Sequence, residues 1–300
     1  MNAHTSFAEL SARQRVQAMV DVGTFKEFLG PSQRVVSPHL AALGVPYAFD
    51  DGAVIGSGTL NANAVLIAAQ EGEFMGGGVG EVHGAKLTGL FRRALRDRPA
   101  AVLVLAESGG VRLHEANAGL IAVSEVMRAL LDVRAAGIPV LMLIGGANGC
   151  FGGMGLIAGC ADFVVMSDAA RMSMSGPEVI ESSHGVEEFD ARDRALVWRT
   201  TGGKHRYLMG DCDRLVEDDV AAFRSAALDL LGQCKQPGAK QPMTLESLRQ
   251  AHARLQERIE NVGDCKDATD IWQRLGVAHP ERVGDMEAAE IQALVAREQA

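Results

Sequence analysis

Residues 102–115 read VLVLAESGGVRLHE: an aliphatic run stops at Glu107-Ser108-Gly109-Gly110, and a helical pattern follows. Two chemistries fit such a turn. In one, Ser108 is a nucleophile on a sharp strand-to-helix elbow, as an A-x-S-x-G variant of the hydrolase motif. In the other, Gly109 and Gly110 leave backbone N–H groups open to a substrate oxygen. The elbow wants a glycine where Ala106 stands and an H-G-G-G segment upstream, which is missing. His184, His205, His252 and His279 lie downstream as formal partners, but any chain of this length supplies such residues.

The oxyanion reading needs donors from two places. A second glycine-dense turn, GGANGCFGGMG at 145–155, follows about 40 residues after the first. A thioester enolate carries its charge on the former carbonyl oxygen, and two N–H groups about 2.7–3.1 Å away stabilise it without reorganising. Gly152 and Gly153 open a small-residue helix, whose N-terminal N–H groups and dipole favour negative charge. Gly109, Gly110, Gly152 and Gly153 are therefore the expected donors or their immediate frame.

Buried strands must hold these turns. AAVLVLA (100–106), PVLMLIG (139–145) and DFVVMS (162–167) are continuously aliphatic and alternate with helical stretches at 116–135 and 153–161. That pattern predicts right-handed β-α-β units around a parallel sheet. Two adjacent strands would bring both turns to one end of it. Upstream, a helix is expected over 8–22 with Ser11 at its start, two short strands over 53–70, and a helix over 86–96. After Pro177 the chain reads mostly helical. The expected organisation is an α/β domain over 1–232, a linker over 233–243 around KQPGAKQP, and a polar helical segment over 244–300.

Bulk properties exclude other classes. A net charge of −9 and only 5% aromatic residues speak against a nucleic-acid surface. No apolar run approaches the roughly 20 residues of a membrane span, and MNAHTSFAEL lacks the basic and apolar regions of a signal peptide. Five cysteines without a C-x-x-C pair read as reduced thiols of a cytoplasmic protein. Histidine spacing offers no metal motif. GGGVGEVHG (76–84) looks dinucleotide-like, but His83 stands where the third glycine should fall; no P-loop and no biotin-accepting lysine motif occur.

Several segments together resemble the carboxyltransferase branch of the crotonase superfamily. They are Ser108-Gly109-Gly110, the 145–155 turn, Gly176-Pro177-Glu178-Val179-Ile180-Glu181, and the opening helix with Arg15, Asp21, Gly23, Phe25 and Glu27. FMGGGVGEVHGAK resembles that family's M-G-G-S-M-G loop, with Lys86 at its end. The match runs from about residue 8 to 232. The four-cysteine zinc ribbon of bacterial acetyl-CoA carboxylase β subunits is absent, and propionyl-CoA carboxylase-type chains are about twice as long. A zinc-free single half is most similar to β subunits that decarboxylate a malonyl thioester.

The resemblance implies a crotonase-like fold of repeated ββα units with a helical C-terminal appendage. It also implies a homologous γ subunit that completes the site, and an acyl carrier protein subunit. The carrier would deliver a CoA-like phosphoribosyl-dephospho-CoA group, with nothing bound covalently by this chain and no metal, nucleic acid or membrane involved. Gly76, Gly77, Gly78 and Lys86 become candidates for contacting that group, Lys86 as part of a basic stripe with Arg92, Arg93 and Arg96. Something must protonate C2 after CO2 leaves; His114, Ser175, Glu178 and His184 are the candidates. Glu178 and Glu181 also suit the first turn of a helix after Pro177. Two other readings stay open: a biotin-dependent acyl-CoA carboxyltransferase subunit, and a scaffold whose glycine turns only shape an interface.

Overall fold

The computed structural model describes residues 4–235 and 244–298. Its seven strands form one sheet in sequential order: β1 Lys26–Phe28, β2 Ala53–Leu60, β3 Asn63–Gln70, β4 Ala101–Ala106, β5 Val140–Ile144, β6 Phe163–Ser167 and β7 Arg214–Val216. The first three are antiparallel, and β3 through β7 run parallel. The helices are α1 Ala12–Met19, α2 Pro38–Ala42, α3 Glu81–Asp97, α4 Asn117–Ala135, α5 Gly153–Gly159, α6 Pro177–His184, α7 Arg194–Thr201, α8 Gly203–Leu208, α9 Val220–Cys234, α10 Leu245–Val262, α11 Ala268–Arg274 and α12 Ala288–Glu298. None is long and apolar enough to cross a membrane among the described residues.

Ser11 caps α1 in a full capping box with Gln14, as its position suggested. α3 starts five residues before the expected 86, because Gly80 serves as its N-cap and the glycine loop ends there. The short edge strands β1 and β7 carry too few residues for a periodic signal. α9 runs through Cys234; residues 236–243, which hold most of the expected linker, lie outside the described residues.

Alternation along the central strands makes two cores. Val102, Val104 and Ala106 of β4 face a cluster with Leu87, Leu90 and Phe91 of α3 and Val126 and Leu130 of α4. Ala101, Leu103 and Leu105 face the other side, with Val16 and Met19 of α1 and Phe223 and Leu230 of α9. A strand buried on both faces can be wholly aliphatic, which is why β4 and β5 carry no polar residue.

The C-terminal helices form a third cluster: Trp272, Val277, Val283 and Ile291 pack on Leu215 of β7. Trp272 Nε1 donates to His205 Nδ1 at 3.2 Å, which fixes His205 as an acceptor. Burial pushes the His205 pKa down to about 4 and that of fully buried His83 to about 3. Both rings are thus neutral in the folded chain, while unfolded histidine gains its proton near 6.5. As pH falls from 6.5 toward 4, the unfolded chain binds protons that the folded one cannot. Stability therefore falls by up to about 1.4 kcal/mol per pH unit for each ring. His205→Asn keeps an acceptor for Trp272 but does not titrate. Urea unfolding between pH 7 and 5 should show a shallower loss for this variant; an unchanged slope would refute the assignment.

Candidate active site

β4 and β5 are parallel neighbours, so the turns after them emerge side by side. Their pairing continues past the strand ends: Ser108 N–H donates to Gly149 O at 2.8 Å, and Phe151 N–H donates to Ser108 O at 2.8 Å. Single parallel bridges Val79–Val111, Ser108–Cys150 and Cys150–Met172 extend this into a short ladder over the end of the sheet.

Beyond these bonds the turns come together at Gly110 and Gly152. A Cβ on Gly152 would stand 2.9 Å from Gly110 Cα, and Gly152 has φ +57°. Both the space and the backbone conformation demand glycine there. Gly109 is different: it is exposed, and its Cβ would meet only Gly76 O at 3.4 Å.

Ser108 is completely buried. Its Oγ donates to Gly110 O at 3.1 Å and accepts from Gly110 N–H at 3.2 Å, and no histidine bonds it among the described residues. The hydroxyl is spent within its own turn.

Following each N–H separates engaged groups from open ones. Gly109 N–H donates to Gly76 O at 2.7 Å, and Gly152 N–H to Met174 O at 3.0 Å. Among the described residues, the N–H groups of Val111 and Gly153 have no acceptor. Val111 is half-buried and Gly153 buried; Gly153 opens α5, where the first N–H groups, Met154's included, have no intrahelical acceptor, so these N–H groups are free to donate to a ligand. The two residues are neighbours: a Cβ on Gly153 would lie 3.3 Å from Val111 Cγ2, and one on Gly152 would lie 3.7 Å from Val111 N. α5 is only seven residues long, so direct N–H donation matters more here than a macrodipole. Val111 escapes a sequence reading because the glycines draw attention while the open N–H belongs to the next residue.

The 76–78 loop frames the first turn. Gly76 O accepts from Gly109, Gly77 sits against Glu107 O, and Gly78 O accepts from Arg112 Nη2 at 3.1 Å. Lys86 lines one cavity with Arg93 and Arg96 on α3, but its charged end turns inward. It is buried, and its Nζ donates to Asp50 O at 2.9 Å and to Ala53 O, so the ammonium is committed inside the fold. Desolvation pushes its pKa down. Arg92 pairs with Glu125, and Arg93 and Arg96 with Asp97.

The remaining candidates line up unevenly. Ser175 follows Met174, whose carbonyl holds the second turn, and exposed His114 lies in the 3-10 turn Leu113–Glu115 just after Val111. Glu178 is exposed in the first turn of α6 behind Pro177. Exposed His184 bonds its own helix through Ile180 O, and Glu181 accepts from Ala191 N–H at 2.8 Å.

Beneath the first turn lies an ionic layer that sequence reading missed, since its partners are 61 and 92 residues apart. Arg112 Nη1 bonds both oxygens of Asp51 at 3.0 Å and Glu115 at 3.0 Å, all deeply buried. Asp51 in turn accepts from His83 N–H at 2.9 Å. Gln70 Oε1 accepts from Glu107 N–H, so its amide nitrogen donates to His83 Nε2 at 3.0 Å. Arg112→Met would leave two buried carboxylates uncompensated and should cost about 3–5 kcal/mol. A urea midpoint equal to wild type would show that the layer is dispensable.

Parallel strands with helical crossovers, ending in two glycine turns that meet backbone to backbone, define a protein of the crotonase fold. The chain belongs to the carboxyl transferase domain family, which it matches over residues 4–273. It is 41% identical to malonyl-S-ACP:biotin-protein carboxyltransferase MADC of Malonomonas rubra, with 94% of this chain and 92% of that protein covered. A Pseudomonas malonate decarboxylase hetero-tetramer in complex with malonate superimposes with a TM-score of 0.82 at 38% identity, covering 91% of this chain and 98% of that one. More distantly, the acetyl-coenzyme A carboxylase carboxyl transferase subunit beta of Fusobacterium nucleatum subsp. nucleatum is 30% identical over 59% of this chain and 60% of its own length.

Proposed function

We propose that the chain is the β subunit of a malonate decarboxylase. With a homologous γ subunit it converts a malonyl thioester on an acyl carrier protein to the acetyl thioester and CO2. The observation that carries this reading is the adjacent pair of buried or half-buried N–H groups at Val111 and Gly153, both without an acceptor among the described residues. The near full-length similarity to malonate-acting proteins supports the substrate class.

In the reaction, the bond between C2 and the carboxylate carbon breaks, and its electron pair moves through C2 onto the thioester carbonyl oxygen. Val111 and Gly153 N–H receive that oxygen, while Gly110 and Gly152 keep the turns close enough for both to reach it. A proton delivered to C2 then completes the acetyl group, with His114 and Ser175 favoured by their position beside the donor segments. Gly76, Gly77 and Gly78 would contact the carrier's phosphoribosyl-dephospho-CoA arm, which would present the malonyl thioester to the turns. Lys86 is left out of that contact, because its ammonium is already bonded. Residues 1–232 carry the site, and 244–300 serve as an appendage to it.

A partner surface is consistent with the exposed apolar side chains on the site-bearing segments. Leu113 is 86% exposed, Ile121 62% and Met174 68%. A γ subunit covering them would close the cleft and exclude water from the developing charge.

A second reading, transfer of the carboxyl group to a biotin protein, is favoured by the Malonomonas relative's activity and shares the same enolate. Incubating the assembled subunits with malonyl carrier, with and without a biotin carrier, separates the two. The proposed function predicts CO2 and acetyl thioester without biotin. Release that requires the biotin carrier would establish the second reading, and full activity of the partner alone would reduce this chain to a scaffold.

Variants probe the turns. Gly152→Ala should lower kcat by about 100- to 1000-fold, since it displaces an oxyanion donor. Gly109→Ala and Ser108→Ala should stay within about 10-fold, their groups lying outside the donor pair. Equal losses in all three would contradict the assignment of Val111 and Gly153.

A further inference from the structure

A buried carboxylate that the proposed mechanism does not use ties the two turns together. Glu107 precedes Ser108 on the first turn, yet its side chain reaches the second: Oε1 accepts from both the N–H and the Nδ2 of Asn148, each at 3.1 Å. Its other oxygen accepts from Arg15 Nη1. Arg15 is also held by Phe7 O through Nε at 2.8 Å and by Ala8 O through Nη2 at 2.9 Å. The clamp is thus anchored in the N-terminal segment and α1. Space has been cleared for the acid. A Cβ on Gly72 or on Gly146 would sit 2.3 Å from Glu107 Cδ, so no other residue fits at either wall.

We propose that Glu107 is a positioning residue that sets the spacing of the Val111 and Gly153 donors. The inference rests on the decarboxylase reading for its kinetic consequence and on geometry alone for the clamp. The ladder bonds between Ser108, Gly149 and Phe151 hold the bases of the turns. Glu107 adds a side-chain tie to the second turn at Asn148, the residue before Gly149 and five before Gly153. The shorter Asp side chain keeps the charge opposite Arg15 but cannot span from there to Asn148. Asn148 is half-buried, so its truncation removes one strand of the clamp without opening the core.

The test uses the assembled complex for turnover and labelled chain in that complex for backbone amide resonances. Glu107→Asp should lower kcat by about 10- to 100-fold with KM within about threefold, because misplaced donors are felt by the oxyanion more than by bound substrate. Asn148→Ala should lower kcat by about 3- to 10-fold at an unchanged melting temperature. In both, the amide resonances of Val111 and Gly153 should move, whereas those of α12 should not. Wild-type kcat together with unmoved resonances in the folded variants would overturn the proposal. Should wild-type complex release no CO2 at all, the decarboxylase reading fails while the resonances still decide the clamp. A kcat loss matched by an equal fall in melting temperature, with unmoved resonances, would make Glu107 merely structural and equally overturn it.

Discussion

The contact between Gly110 and Gly152 is the constraint on which the rest of the molecule depends. Two turns from adjacent parallel strands approach so closely that a side chain on Gly152 would strike Gly110. Only at that distance are open N–H groups on both sides brought to one place. The sheet supplies the common direction, and the bridges beyond the strand ends supply the alignment. The glycines remove what would hold the turns apart. On the proposed reading, ordinary backbone thereby becomes the oxyanion site.

That economy explains the polar layer below. Hydrogen bonding leaves the donors themselves uncommitted, so the turns must be held by everything around them. Arg112 with Asp51 and Glu115 braces one side, and Arg15 with Glu107 the other. Gln70 joins them by binding the Glu107 N–H and the His83 ring. Buried ion pairs add little net stability against a well-packed apolar alternative, so their worth here is in geometry. A layer of leucines would fill the same volume but would not fix the direction of a loop.

Much of this was legible in the sequence. The aliphatic runs of β4 and β5 marked strands buried on both faces, and the glycine clusters after them located the turns and their common end. The resemblance carried by the S-G-G, G-P-x-V-I-E and M-G-G segments matched the crotonase-type fold and the carboxyl transferase family. Individual atoms were not legible. Nothing in the pattern shows that Gly109 N–H is taken by Gly76 O, or that the open N–H on the first turn belongs to Val111. Lys86 looked like a surface cation from its place in a charged helix, but it points inward, where two carbonyls at the end of a loop 33 and 36 residues away need a donor. Long-range partners of this kind leave no local trace, because periodicity reports which face is buried and not what it meets.

The position of the substrate oxygen decides the role of the two turns. A crystal structure of the assembled complex with a non-hydrolysable malonyl thioester analogue addresses it directly. The thioester oxygen is expected within about 2.7–3.1 Å of both Val111 N and Gly153 N. An oxygen held instead by side chains, or by the partner subunit alone, would contradict it.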